Sequence, residues 1–296
     1  MSLRLEMLQV ARLAPAVLGP DASKRIEAFV RSTELPEGGF RDREGKPDLY
    51  YTSFAVDALT ALQVELPPSL GAWLATIDPT PLDLVHLASL SRVAAAVASS
   101  TGNDSPVAME PIFELIEAYR SGDGGYHANQ GSETGSGYGC FVAYGAYSDH
   151  HRMPPNPEGM VECMRHLEQA EGGWSNDRHL PIANVPSTAA SMTLYRNLRL
   201  PVPDATEGFV RSCFHAKAGG FVPFPRAPLP DLLSTAVALH TLDGLQADLT
   251  SIKEPCLDFI DSLWTADGGF VGNWDDDTLD VEYTYYGLLA LGHLAL

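Results

Sequence analysis

The sequence predicts an all-α protein in which six helical hairpins close into an (α/α)6 toroid. The first observation is a Gly-Gly-aromatic triplet that recurs five times, starting at Gly38, Gly124, Gly172, Gly219 and Gly268. The last four copies start 47 to 49 residues apart, and the first gap is nearly twice as long. The second observation is that each triplet lies between two segments with helical periodicity. An open solenoid of helix pairs is the competing architecture.

The segment before the repeats, residues 1–19, is predicted to form an N-terminal amphipathic helix. Its apolar residues at helical spacing are Leu5, Leu8, Ala11 and Leu13. The repeats then run from about residue 20 to residue 296, and a unit without the two glycines fills the first gap over residues 70–100. Because no linker divides the chain, residues 1–296 are predicted to form a single toroid domain.

Each repeat is predicted to contain an amphipathic outer helix, a Gly-Gly turn and a more apolar inner helix. The outer helices are the segments that precede the triplets: SKRIEAFVRST, MEPIFELIEAY, GMVECMRHLEQ, TEGFVRSCFHA and EPCLDFIDSLW. Four inner helices open with the pattern Asp/Asn-x-x-x-Thr, at Asp48, Asn184, Asp231 and Asp280. An Asp or Asn before an apolar run is typical of a helix N-cap, so capping alone accounts for these four side chains.

The composition restricts the partners of the chain. Its 296 residues include 19 Lys and Arg against 38 Asp and Glu, and the formal net charge of −19 disfavours nucleic acid and anionic bilayers. No apolar run reaches the roughly 18 residues that span a bilayer. The four cysteines form no C-x-x-C pair, which favours free thiols in a reducing compartment. We therefore expect a cytoplasmic protein that binds no nucleic acid and has no transmembrane segment.

With its triplets and capped inner helices, the sequence resembles the prenyltransferase and squalene-cyclase repeat superfamily over roughly residues 20 to 296. Three segments are similar to motifs of protein prenyltransferase β subunits: GSETGSGYGCFVAYGAYS, LPDLLSTAVALHTL and LDVEYTYYGLLALGHL. In the first segment Glu133, Gly137 and Tyr138 match the family pattern, but Gly135 replaces the histidine that helps hold the diphosphate. The resemblance implies an isoprenoid ligand and leaves open whether an α-type partner subunit exists.

The same resemblance implies a zinc site whose ligands in the family include an Asp, a Cys and a His. Asp231 matches the Asp, whereas Leu233 and Tyr283 replace the Cys and the His. Because a zinc site needs at least three protein donors, we expect no zinc and no resident cofactor. Magnesium bound together with a diphosphate substrate remains open, since Asp275, Asp276 and Asp277 form an acidic triplet. A solvated loop is the simpler interpretation of that triplet.

A second branch of the superfamily, the class II terpene cyclases, protonates an alkene with the central Asp of a D-x-D-D-T motif. The run Asp280-Val281-Glu282-Tyr283-Thr284 resembles this motif and places Glu282 at the acid position, although Tyr283 replaces the last Asp. The candidate catalytic residues are Glu282, Asp280 and Asp231. We expect Glu282 to share one rim of the ring with Asp48, Glu133 and Asp231, where crowded carboxylates raise one another's pKa.

Aromatic residues are concentrated on the predicted inner helices, and those that face inward would line a central funnel. They are Tyr50, Tyr51, Phe54, Tyr138, Phe141, Tyr144, Tyr283, Tyr285 and Tyr286. The candidate substrate-binding residues are Tyr51, Phe54, Glu133, Tyr138, Phe141, Tyr144, Tyr283 and Tyr286. Aromatic walls suit isoprenoid chains, and ring faces stabilise carbocations. Core packing accounts for some of these side chains.

Three functions remain open at this point. The first is an isoprenoid-handling protein that binds or transforms a polyprenyl or terpenoid substrate in an aromatic cavity without zinc. The second is a non-catalytic toroid that binds a hydrophobic ligand or a partner protein. The third is an (α/α)6 carbohydrate-active enzyme with two carboxylates beside a sugar cleft, against which the Gly-Gly repeat argues.

Overall fold

The computed structural model describes residues 2–296, and within that range nearly all of the regular secondary structure is helical. The helices are α1 (Leu3–Ala11), α2 (Ala14–Ser32), α3 (Leu49–Ala61), α4 (Leu70–Leu74), α5 (Leu84–Thr101), α6 (Met109–Glu117), α7 (Gly137–Ser148), α8 (Pro157–Arg165), α9 (Val185–Asn197), α10 (Thr206–Ser212), α11 (Leu232–Gly244), α12 (Thr250–Ser262) and α13 (Val281–Leu294). The strands are β1 (Phe40–Arg41), β2 (Pro47–Asp48), β3 (Phe214–His215) and β4 (Gly220–Phe221), which pair antiparallel as β1–β2 and β3–β4. The predicted all-α class is confirmed.

Six helices form a closed inner ring. In the order α3, α5, α7, α9, α11, α13, each helix packs against the next, and α13 packs back against α3. The other helices from α2 to α12 pack on this ring: α2 on α3 and α13, α4 and α6 on α5, α8 on α7, α10 on α11, and α12 on α13. Closure of the ring distinguishes a toroid from an open solenoid, so the predicted toroid is confirmed. The region 70–100 supplies the pair α4 and α5, as expected for a unit without the two glycines.

Every inner helix begins with a side-chain N-cap that bonds to the backbone N–H three residues later. The capping residues are Asp48, Asp83, Ser136, Asn184, Asp231 and Asp280. The sequence pattern predicted four of these caps and missed Asp83 and Ser136, because neither is followed by Thr at the fourth position. Asp48 meets His86 at the start of α5, and Tyr50 meets Glu282 at the start of α13. The N-terminal ends of neighbouring inner helices therefore form one rim.

The Thr of the recurring pattern joins each inner helix to a Gly-Gly-aromatic triplet. Its hydroxyl donates to the backbone oxygen of the capping residue and accepts from the backbone N–H of the triplet's aromatic residue. The N–H to hydroxyl distances are 2.9 Å for Phe40–Thr52, 3.0 Å for Trp174–Thr188, 2.9 Å for Phe221–Thr235 and 3.4 Å for Phe270–Thr284. Since buried backbone N–H groups need partners, this bond explains why the two motifs recur together.

The glycines of the triplet allow the turn to pack closely against the next outer helix. Gly219 has a φ of +82°, and a Cβ added there would lie 2.1 Å from the backbone oxygen of Pro255 in α12. A Cβ on Gly220 would lie 2.6 Å from the ring of Phe259. A side chain at either position would therefore displace α12, which is why glycine is required there.

The N-terminal helix is shorter than the predicted 1–19 and buries only part of the predicted apolar face. Helix α1 ends at Ala11, and Gly19 interrupts α2 with a φ of +76°. The buried residues of α1 are Leu3, Arg4, Met7, Leu8 and Ala11. Of the predicted face, Leu8 and Ala11 are buried, whereas Leu5 is only half-buried and Leu13 is exposed after the helix has ended.

Helix α1 closes the end of the ring opposite the capped rim. It packs against α3, α7 and α13. Its Glu6 pairs with Arg196 at 2.8 Å and accepts from Asn197 at 3.1 Å, both at the C-terminal end of α9. Since these contacts lie at helix C-termini, the ring has an open rim and a closed floor. None of the helices within residues 2–296 has the length and apolar character needed to cross a membrane.

Candidate functional site

The ring encloses a cavity with two adjoining lobes. The larger lobe has a volume of ≈ 540 Å³ and the smaller a volume of ≈ 90 Å³. Five side chains line both lobes: Met7, Tyr50, Tyr138, Phe141 and Tyr286. The larger lobe extends along α9 and α11, and the smaller lobe extends along α3, α5 and α1. Aromatic rings therefore form the wall where the lobes meet.

The larger lobe owes its volume to small and aliphatic side chains on two inner helices. They are Pro186, Ala189, Ala190, Leu233 and Val237. Leu233 stands where the family motif has a zinc-binding cysteine, and it presents an alkyl group to the cavity instead. An apolar wall of this kind favours a hydrocarbon ligand, because burial of apolar surface drives binding.

The structure places only some of the predicted substrate-binding residues at the cavity. Phe54, Tyr138, Phe141 and Tyr286 line it, whereas Tyr51, Tyr144 and Tyr283 line neither lobe. Glu133 is exposed in the loop between α6 and α7. Helix phase accounts for Tyr144, because successive residues are rotated by about 100° around a helix and Phe141 and Gly145 already face inward. Tyr50 also lines the cavity, as predicted for an aromatic residue of the funnel. Its hydrogen bond to Glu282 was not predicted.

Glu282 lies at the rim, behind the aromatic wall. Its carboxylate accepts a hydrogen bond of 2.7 Å from the hydroxyl of Tyr50, which lines both lobes. Burial raises the pKa of Glu282, the Tyr50 hydrogen bond lowers it, and the charge of Asp280 raises it further. Burial also raises the pKa of the Tyr50 hydroxyl, with contributions from Tyr286 and Glu282. The direction agrees with the expectation for Glu282, but burial is the main cause, and the predicted crowding with Asp48, Glu133 and Asp231 is not among the causes.

Asp280 is an N-cap that is also held by an ion pair. Its carboxylate accepts from the Tyr283 N–H at 2.9 Å and pairs with Nη2 of Arg43 at 2.6 Å. Burial raises the pKa of Asp280, while the Tyr283 N–H and Arg43 lower it. The side chain of Asp280 is 4% exposed. A carboxylate held in this way orients the first turn of α13, which carries Glu282.

The other rim carboxylates have partners of their own. Asp231 accepts from the backbone N–H and the hydroxyl of Ser234, at 2.7 and 2.8 Å, and burial raises its pKa. Asp48 pairs with Nε2 of His86 at 3.1 Å. The hydrogen bond to Asp48, followed by that to Asp83, raises the pKa of His86 to about 9. The structure thus distributes these carboxylates around the rim instead of gathering them beside Glu282.

The smaller lobe contains a buried charge cluster that the sequence did not reveal. Asp57, which is fully buried, accepts from Nε of Arg4 at 2.8 Å and from Nε of Arg92 at 2.6 Å. The guanidinium of Arg92 lies 5.7 Å from the centre of the Phe54 ring. Burial raises the pKa of the nearby Asp149 to about 6. These groups come from helices far apart in the chain, so no local motif signals them.

The side chains at the family's zinc position do not fit a zinc site. Within residues 2–296, no three His, Cys, Asp or Glu side chains converge as ligands for a metal ion. In the acidic triplet, Asp276 lies 3.6 Å from Arg43, and Asp275 and Asp277 are exposed. The expected absence of zinc stays a prediction for direct measurement.

A comparison with protein families finds one match. The family model of the prenyltransferase alpha-alpha toroid domain matches residues 15–86 and 163–295, well over half of the chain. The match includes the inner helices α3, α9, α11 and α13. No curated protein sequence matches the chain.

Solved structures show the same fold at low sequence identity. A protein from Actinoplanes has a TM-score of 0.58 and 14% identity, over 93% of this chain and 98% of that one. The type II terpene cyclase MstE from Scytonema, without ligand, has a TM-score of 0.55 and 13% identity, over 93% and 97%. A variant of MstE in complex with its substrate geranylgeranyl dihydroxybenzoate has a TM-score of 0.58 and 13% identity, over 97% of each chain.

Proposed function

Because the chain belongs to the prenyltransferase alpha-alpha toroid domain family, we propose that its cavity binds an isoprenoid and that Glu282 supplies a proton to it. One observation carries this proposal. A half-buried carboxylate with a raised pKa is hydrogen-bonded to Tyr50, and Tyr50 lines an aromatic-walled cavity inside the ring. Such an arrangement joins a proton donor to a binding site for hydrocarbon.

The size and lining of the larger lobe support an isoprenoid ligand. Ligand cavities commonly measure about 300–1,000 Å³, and the larger lobe falls within that range at ≈ 540 Å³. Each methylene buried against Leu233, Val237 and Phe141 would contribute about 0.8 kcal/mol. The similar fold of MstE holds a geranylgeranyl compound, which also favours this ligand class.

The proton would pass through Tyr50, because Glu282 itself lines neither lobe. Tyr50 donates to the ionised carboxylate, but once Glu282 is protonated its O–H donates to the Tyr50 oxygen and the Tyr50 hydroxyl is free to turn toward the ligand. The Glu282 proton then passes to the Tyr50 oxygen while the Tyr50 hydroxyl proton moves to an alkene carbon of the isoprenoid. The π electrons form the new C–H bond, and a carbocation is left on the adjacent carbon, with a carboxylate at Glu282. Loss of a proton from the cation completes a cyclisation or a double-bond shift. The raised pKa of Glu282 keeps more of it protonated near neutral pH, as a general acid requires.

The carbocation would be stabilised in the larger lobe. Tyr138, Phe141 and Tyr286 line this lobe, and an aromatic face stabilises a cation by about 0.5–2 kcal/mol. The smaller lobe is less suitable, because Arg92 places a positive charge at its wall. The charge distribution therefore favours reaction in the larger lobe.

A second candidate is a binding toroid that performs no chemistry. The position of Glu282 favours it, since the carboxylate contacts the ligand space only through the Tyr50 hydroxyl. This candidate retains the isoprenoid ligand and removes the proton transfer, so binding and turnover must be measured separately.

The test combines native mass spectrometry with product analysis, using farnesol, geranylgeraniol and geranylgeranyl dihydroxybenzoate as probes. We expect the wild type to bind and convert at least one probe. The variants Glu282→Gln and Tyr50→Phe should still bind the probe but convert it at least about 100-fold more slowly, since a positioned general acid contributes at least this much. Glu254→Gln, an exposed carboxylate on α12, is the matched control and should match the wild type. Binding without turnover would favour the second candidate, and absence of binding would contradict both.

A further inference from the structure

The floor of the larger lobe carries a buried pair of histidines that the proposed proton transfer does not use. His240 lies on α11 and His293 on α13, and they are 5% and 2% exposed. His240 lines the larger lobe together with Met7 of α1, the helix that closes this end of the ring. His240 therefore forms part of the cavity wall at the end away from Glu282, and His293 lies behind it.

One hydrogen bond between the two rings and the charge of Asp243 beside His293 indicate where the protons of this pair lie. Nδ1 of His293 lies 3.2 Å from Oδ2 of Asp243, and Nε2 of His293 lies 3.1 Å from Nδ1 of His240. A lone pair on His293 Nδ1 would face the negative charge of Asp243, so this nitrogen is assigned the hydrogen and His293 Nε2 the lone pair. His240 Nδ1 then donates to that lone pair. The remaining nitrogen, His240 Nε2, is left as an acceptor.

This acceptor lacks a donor within the described part of the chain. His240 Nε2 is buried and makes no hydrogen bond among residues 2–296. Oε1 of Glu6 lies 3.8 Å from it, but Glu6 is an acceptor too and is paired with Arg196 at 2.8 Å. Burial, followed by the neighbouring His293, lowers the pKa of His240 to about 3, so the ring stays neutral. A buried acceptor without a donor is costly unless a ligand supplies one.

We propose that the floor of the larger lobe is a binding site for a hydroxyl group, whose O–H donates to Nε2 of His240. The inference rests on the proposed function and narrows its ligand class to an isoprenoid alcohol or phenol. The hydrocarbon chain lies along Val237 and Phe141 toward Tyr50, and the hydroxyl end reaches the closed floor. The polar end of the ligand is thus buried inside the ring, and its apolar end faces the proton donor at the rim.

The charges around the floor exclude an anionic end group. A diphosphate would face the lone pair of His240 and the carboxylate of Glu6, while Arg196 is already paired with that carboxylate. An ether end would fit by size but has no hydrogen to donate. Of the three end groups, only the alcohol is uncharged and carries a hydrogen that it can donate to Nε2 of His240.

The experiment measures binding of geranylgeraniol, its methyl ether and geranylgeranyl diphosphate to the full chain. For the wild type we expect the alcohol to bind about tenfold more tightly than the ether, the ratio that one hydrogen bond to a buried acceptor supplies, and the diphosphate to bind most weakly. In His240→Leu the preference for the alcohol over the ether should disappear. His166→Leu, an exposed histidine after α8, should keep it.

Nuclear magnetic resonance of the wild type gives a readout that does not depend on a variant folding. Long-range proton–nitrogen spectra should show His240 with its hydrogen on Nδ1, and the Nε2 resonance should shift with the alcohol but not with the ether. A hydrogen on Nε2, or equal affinity for alcohol and ether, would overturn the hydroxyl site while isoprenoid binding stands. If none of the three probes binds the wild type, both proposals fail.

Discussion

The two ends of the toroid are built in different ways. At the rim, a capping side chain bonds to an N–H three residues along the chain, and rim charges such as Asp48 and His86 remain partly solvated. At the floor, contacts join distant residues, as between Arg4 and Asp57, and the charges are buried. The rim is thus the product of short repeated motifs, whereas the floor exists only once α1 has entered the ring. The difference predicts that stability depends more on the floor and that chemistry is located nearer the rim.

The largest effect is expected from breaking the charge cluster at the floor. Asp57→Asn would leave Arg4 and Arg92 without their buried counter-charge and should lower the free energy of unfolding by about 3–5 kcal/mol. Urea denaturation measures this change. The control is Glu44→Gln, which removes an exposed pair with Lys46 and should cost less than about 1 kcal/mol. If both substitutions lowered the free energy of unfolding equally, the buried charges at the floor would contribute no more to stability than an exposed ion pair does.

A smaller effect is expected where the repeat motifs meet. Thr235→Val removes the acceptor for the buried N–H of Phe221 and should cost about 1–3 kcal/mol in urea denaturation. Thr101→Val, at the exposed end of α5, should change the free energy of unfolding by less than about 0.5 kcal/mol. If Thr235→Val left the free energy of unfolding unchanged, the hydrogen bond between Thr235 and Phe221 would not explain why the two motifs recur together in the repeats.

A pH effect separates the rim from the floor. The ordinary pKa of 6.5 for His86 rises to about 9 beside Asp48 and Asp83. A group with a raised pKa stabilises the folded state fully below its unfolded pKa, so this contribution is lost as the pH rises from 6.5 through about 9. Because His86 is one-third exposed, we expect less than about 1 kcal/mol. Thermal melts of wild type and His86→Gln should converge above pH 9, and parallel curves throughout would contradict the ion pair.

The smallest effect on stability is expected from treatment that removes metal ions. Leu233 and Tyr283 occupy two of the family's three zinc positions, so elemental analysis should find no stoichiometric zinc. Treatment with a chelator should leave the melting temperature unchanged, since no metal would contribute to folding. One tightly held zinc per chain would contradict this and would require ligands other than those of the family motif.

The contrast between rim and floor also explains which parts of the fold could be predicted from the sequence. The ring and its rim were predictable because Asp-x-x-x-Thr and Gly-Gly-aromatic are local patterns with a fixed hydrogen bond between them. The floor was not predictable, since the pairing of Arg4 with Asp57 depends on how α1 docks. The length of α1 was overestimated because the apolar spacing continues past Ala11, where the helix ends.

The candidate site was predictable only in part. Glu282 was identified from its position in the first turn of α13, but its hydrogen bond to Tyr50 joins residues 232 positions apart and has no local signal. Burial, which sets its pKa, also depends on the closed ring. For the aromatic residues, inner-helix location was predictable, whereas the helix phase that brings Phe141 inward and turns Tyr144 away required the packed structure.

The most direct test of the account is deuterium transfer at the rim. A converted isoprenoid probe would be incubated in deuterated water with wild type and Glu282→Gln, and the product analysed by mass spectrometry and nuclear magnetic resonance. We predict one deuterium per product molecule at the former alkene carbon for the wild type, with product formation reduced about 100-fold or more in the variant. A wild-type product without deuterium, or an unchanged rate of labelling in Glu282→Gln, would contradict protonation by Glu282.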